Sequence, residues 1–149
     1  MESKRVDAEI SFSEEKMKKN SLFDSPHLFY DTYCLLPGQF QKVHAHEGSD
    51  KVYYVLRGAG RFTVGDEEED LGEGHAVIAR AGIPHGVRNE TDETVRVLMF
   101  STVNHPAVTV YPDSDKVGVW TGNKDDDLIV PRSSGVDYFM GEGNQEGRG

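Results

Sequence analysis

The stretch "HAHEGSDKVYYVLRG", residues 44 to 58, carries two histidines one residue apart. In an extended segment residues i and i+2 project from the same face. His44 and His46 therefore point together if residues 42 to 46 are extended. Neutral imidazole is the commonest side-chain ligand for metals, so such a pair makes half of a metal site. An isolated H-x-H is more often two solvated or hydrogen-bonded histidines. A third histidine changes the balance. His85, in "GHAVIARAGIPHGVRN", stands at another turn-to-strand junction, and a barrel would carry it across to the first pair. Asp50 and Lys51 sit side by side just ahead of the apolar run "VYYVL". Alternation along a strand lets only one of them face inward. Tyr53 shares the face of Lys51.

The elements that must position these residues read as short strands. "HLFYDTYCLL" is aromatic and apolar and ends at the turn signal Pro37-Gly38. "KVYYVL", "RFTV", "HAVIA" and "TVRVLMFSTV" follow, with glycine-containing turns between the first of them. Many short strands at regular spacing mean a sandwich or barrel. The run "GDEEED" at 65 to 70 reads as a solvated hairpin tip. "SFSEEKMKKN" reads either as a short surface helix capped by Ser11 and Glu14 or as disordered chain. Residues 106 to 140 hold extra apolar groups, among them Val108, Tyr111, Trp120, Leu128, Ile129, Tyr138 and Phe139. These must be buried on the barrel or on a partner, and an edge strand favours pairing, so a homodimer is expected. The expected organisation is a polar segment 1–20, a barrel 21–110, an extension 111–140 and a disordered tail 141–149.

With 149 residues, the chain suits one domain with a real core. Sixteen basic against 26 acidic residues give a formal charge of -10, which argues against a nucleic-acid or anionic-membrane surface. A local basic pocket for a small anion is compatible with it. A single cysteine, Cys34, permits no internal disulfide. No apolar run approaches the ~18 residues that span a bilayer, and no signal-peptide core is visible. A cytoplasmic protein is expected.

The sequence resembles the cupin superfamily. The family's first motif, G-x5-H-x-H-x3-4-E-x6-G, is met by Gly38, His44, His46 and Gly58. Its second, G-x5-P-x-G-x2-H-x3-N, is met by Gly74, Gly82, His85 and Asn89. The resemblance implies an all-β fold, a double-stranded β-helix or jelly-roll barrel, here with an extended C-terminal segment. It also implies a metal held by His44, His46 and His85, with the four glycines in turns and Asn89 structural. Two departures stand out. The second motif's proline is Arg80. The family's metal-binding glutamate is missing, and counting back seven from Gly58 puts Lys51 in its place. Lys51 is expected inward or at the pocket rim and Asp50 outward. A bulge that swings Asp50 inward is the alternative.

Three imidazoles would suit one divalent transition metal, Fe, Mn, Ni, Co, Cu or Zn, with coordination positions left open. The resemblance implies a small-molecule ligand. A three-histidine dioxygenase is the enzyme reading; a sugar isomerase or epimerase and a non-catalytic binding or sensor module are the alternatives. Lys51 and Tyr53 are the candidate substrate contacts, within an inward set of Phe40, Lys51, Tyr53, Val87 and Met99.

Overall fold

The structure is a computed structural model, which describes residues 1–103, 107–120, 125 and 128–131. His105, Tyr138, Phe139 and the tail 141–149 lie outside the described residues. Twelve strands are described: β1 Lys18–Asp24, β2 Leu28–Leu35, β3 Phe40–Glu47, β4 Lys51–Arg57, β5 Ala59–Val64, β6 Glu67–Gly72, β7 Ala76–Ala79, β8 His85–Arg88, β9 Val95–Thr102, β10 Ala107–Val110, β11 Lys116–Trp120 and β12 Leu128–Pro131. They form two antiparallel sheets, ordered β1-β2-β9-β4-β7 and β12-β11-β10-β3-β8-β5-β6. No helix among the described residues is long and apolar enough to cross a membrane.

Alternating residues close the core between the sheets. Tyr33 and Leu35 of β2, Tyr53 and Val55 of β4, Phe62 of β5, Val87 of β8 and Val95, Val97 and Met99 of β9 form one buried cluster. Each such aliphatic side chain contributes about 1.5–3 kcal/mol through loss of water contact. A second cluster, Val108, Val117 and Val119, lies where β10 and β11 extend the sheet beyond β3.

Three local expectations change. Residues 18–20 are strand, not helix or disordered chain: β1 pairs with β2, Leu22 is buried, and the Asn20 amide donates to the Ser11 carbonyl at 3.1 Å. A charged segment without a helical apolar stripe gains more from an open strand edge. One turn of 3-10 helix lies earlier, at Val6–Glu9. The acidic run is mostly β6 rather than a hairpin tip. It pairs with β5, and Glu68 meets Arg88 at 2.9 Å and Arg61 at 3.1 Å. Opposite charges across strands suit that edge. Phe40 points to solvent, 58% exposed, rather than inward.

The feature that aims the site is an irregularity in β3. Gln41 pairs with Val87 and His44 with His85, so three steps on β3 match two on β8. The extra residue is a bulge. It puts Gln41 and His44, three apart, on the same inner side. Gly86 admits it: a Cβ there would lie 2.7 Å from the Gln41 carbonyl oxygen. Gly86→Ala should lower stability by about 2–4 kcal/mol, since backbone must move to admit the methyl. Gly72→Ala, whose Cβ would meet only a carbonyl at 3.9 Å, should stay within about 0.5 kcal/mol. Thermal melting of the two variants tests the bulge.

Candidate metal centre

β3 presents His44 and His46 together, and β8 opens with His85 directly opposite His44. One ring nitrogen from each of the three lies within 4.8 Å of the others. The backbone fixes which nitrogen faces in. His44 Nδ1 donates to the Lys42 carbonyl at 2.6 Å, and His85 Nδ1 to the Ile83 carbonyl at 2.8 Å. A carbonyl only accepts, so both rings carry their proton on Nδ1 and leave Nε2 as a bare lone pair. His46 Nδ1 lies 3.1 Å from the Thr109 hydroxyl of β10. Such outer partners orient metal-binding imidazoles.

The inner nitrogens crowd together. His44 Nε2 and His46 Nε2 are 3.0 Å apart. His85 Nε2 is buried with no hydrogen-bond partner among the described residues. Two ligands at 2.0–2.2 Å from one ion and at right angles to it stand about 2.8–3.1 Å apart. A cation between these nitrogens would satisfy the orphaned His85 Nε2 and take the place of the His44–His46 contact, so the residues fit a divalent metal. The rings are also ready to bind. Burial first, then the Lys51 ammonium, pushes His44 down to about 3 and His85 down to about 4. The same causes hold His46 well below the ordinary histidine range. All three are neutral near pH 7, so binding releases no imidazolium proton.

Lys51 stands at the missing glutamate's position. It is 3% exposed, on the inner face of β4, and its Nζ lies 3.3 Å from His46 Nε2 and 3.4 Å from the Tyr33 hydroxyl. Burial, then repulsion from Lys19, lowers it to about 7, while Asp31 pulls the other way. Asp50 is exposed. Its Oδ1 accepts the Ala81 amide at 2.8 Å, and its own amide donates to the Thr102 hydroxyl at 3.1 Å. The register of β4 on β9 is unbroken from Lys51 to Val55, so no bulge swings Asp50 inward.

A cavity of about 510 Å³ opens beside the histidines, within the usual range for small-molecule sites. His44, His46, Lys51, Tyr33 and Asp31 line its polar part, and Phe29, Met99 and Val103 its apolar part. Tyr53 stands behind this wall. It is fully buried, its hydroxyl donates to Gln41 Oε1 at 2.7 Å, and its ring packs against Tyr33, Phe62 and His85. Gln41 lines the cavity in its stead. Val87 is core. Sequence reasoning missed Gln41, Tyr33, Asp31 and Thr109. No local signal marks Gln41 or Thr109, because the bulge and the β3–β10 pairing bring them in. Asn89 is structural: its side-chain amide donates to the Leu35 and Glu93 carbonyls at 3.1 and 2.7 Å. His75 is exposed, away from the centre.

Two antiparallel sheets enclosing a three-histidine cluster define a small β-barrel with the makings of a metal site. The cupin domain family model matches residues 32–101. The TT1209 protein of Thermus thermophilus is 49% identical, over 68% of this chain and 97% of that one, with a TM-score of 0.67. The chain belongs to the cupin superfamily. A sugar phosphate isomerase of the superfamily from Silicibacter pomeroyi is similar in fold at 19% identity, with 80% of this chain and 78% of that one covered and a TM-score of 0.71. A putative sugar phosphate isomerase from Acidithiobacillus ferrooxidans is similar at 22% identity, with coverage of 78% and 77% and a TM-score of 0.67. No curated protein matches the chain.

Proposed function

We propose that the protein holds one divalent transition metal on the Nε2 atoms of His44, His46 and His85 and acts on a small organic molecule in the adjoining cavity. The reading rests on one observation: three imidazoles converge beside a cavity that His44 and His46 line, and the His85 Nε2 is buried with no partner among the described residues. A metal in such an open site supplies Lewis acidity and, where it is redox-active, electron transfer with dioxygen. The favoured reaction class is dioxygenation of a small substrate. The chain's own part is positional. The Lys42 and Ile83 carbonyls and Thr109 hold the rings, Phe29, Met99 and Val103 give the cavity an apolar wall, and Lys51 and Tyr33 offer polar contacts.

A second reading, a non-catalytic binding or sensor module, draws on Lys51. Its ammonium already lies on His46 Nε2, where a carboxylate ligand would have completed the coordination. Isomerisation of a sugar phosphate, the activity named for two fold relatives, has only the shared fold behind it. Elemental analysis of protein purified without added metal, with spectra taken under nitrogen and in air, separates these readings. Iron with oxygen-dependent turnover supports the oxygenase. A protein that holds no metal in any preparation sinks the metal reading.

The proposal includes a cytoplasmic homodimer. Leu128 and Ile129 lie exposed on β12, the last strand of its sheet, and suit contact with a second copy. Light scattering should give about twice the 16.6 kDa chain mass. A 16.6 kDa particle at micromolar concentration removes the dimer.

A further inference from the structure

Lys51 is a buried cation with no carboxylate within 4.0 Å among the described residues. Its nearest polar neighbours are a phenol hydroxyl, 3.4 Å away, and an imidazole nitrogen, 3.3 Å away. Asp31, across the same cavity, is a counter-charge beyond ion-pair distance, and a buried charge with no contacting partner is costly. This one is 3% exposed, yet it lines the cavity. It lies where a ligand's anionic group would supply the missing partner. We propose that the cavity takes a small organic carboxylate, anchored through its carboxylate group by the Lys51 ammonium. The proposal rests on the metal-site reading for the ligand's role in the chemistry, but not for its binding.

The cavity sets the rest of the ligand. An ammonium has three protons to give. Tyr33 and His46 lie in reach of two, and a metal on His46 Nε2 would free one of those. That suits the two oxygens of a monoanion. A phosphate dianion needs more donors, and Asp31, on the same cavity, repels a second negative charge. Phe29, Met99 and Val103 give the body of the ligand an apolar or aromatic bed. The volume of about 510 Å³ admits a molecule the size of a substituted aromatic acid. The chain's overall charge of -10 makes this local basic lining more telling, since the surface at large repels anions.

The test is calorimetric titration of the full chain, chelator-treated and zinc-loaded, with acetate, benzoate and phenylacetate, with their neutral amides, and with inorganic phosphate. At least one acid should bind tenfold or more tightly than its amide in both preparations. Lys51→Met should abolish that preference. Lys18→Met, exposed on β1 and outside the cavity lining, should keep it. If no acid is preferred over its amide, if the preference survives Lys51→Met, or if phosphate binds more tightly than every acid, the proposal fails. Should Lys51→Met not fold, the wild-type acid–amide comparison decides by itself. The chelator-treated series also separates the two readings. Acid preference in a protein that never holds metal overturns the metal centre alone. Metal retention without acid preference overturns the carboxylate site alone.

Discussion

Replacing any one of His44, His46 or His85 with alanine will lower affinity for divalent metal by about two orders of magnitude or more. Loss of an outer-shell partner alone costs 10–100-fold, and loss of a ligand removes a direct bond. Each ring has a separate anchor, the Lys42 carbonyl, Thr109 and the Ile83 carbonyl, so two rings stay in place when the third is removed. The fold should persist, because the main cluster is made of other residues. Competition with a chromogenic chelator gives the affinities, and circular dichroism checks the fold. Full metal occupancy in all three variants would show that the ion sits elsewhere.

The second large effect is a gain. Lys51→Glu should tighten metal binding by about tenfold or more, in the range that single supporting groups contribute at such sites. Lys51 is on the inner face of β4 with Nζ 3.3 Å from His46 Nε2. A glutamate from the same Cα brings a carboxylate to the same side and removes a cation that opposes the metal. Asp50→Asn should leave affinity unchanged, since Asp50 Oδ1 is engaged with the Ala81 amide. The same chelator competition measures both. If Asp50→Asn loses the metal while Lys51→Glu changes nothing, the fourth-ligand position has been placed on the wrong residue. Lys51→Glu should at the same time lose any preference for carboxylate ligands, which ties this result to the calorimetric one.

Much of this protein is legible along the chain. The alternation in "KVYYVL" and "TVRVLMFSTV" determines β4 and β9, because one face of each must meet the core. Two glycine-and-histidine motifs, Gly38 to Gly58 and Gly74 to Asn89, determine the barrel class and the three ring positions. The motif glycines Gly38, Gly58, Gly74 and Gly82 all have positive φ. At Gly58, φ is +80 and a Cβ would lie 2.5 Å from the Thr94 carbonyl oxygen, so no larger residue serves there. Counting back from that glycine puts Lys51 at the glutamate's position, and the register of β4 on β9, regular from Lys51 to Val55, keeps it on the inner face with Tyr53 and Val55.

What the tertiary structure decided is which neighbours those residues meet. Regular alternation from Gln41 would have turned His44 outward. The extra residue in β3, admitted by Gly86 on β8, turns it in. That bulge is a property of two strands together, and neither segment announces it alone. The same holds for Thr109, which reaches His46 because β10 returns to pair with β3. Tyr53 faces inward as its strand position requires, yet Gln41 takes its hydroxyl and stands between it and the cavity. Local periodicity determines the face on which a side chain lies. The packing of separate strands, which depends on contacts remote in sequence, decides whether that face opens on a core, a metal site or a ligand.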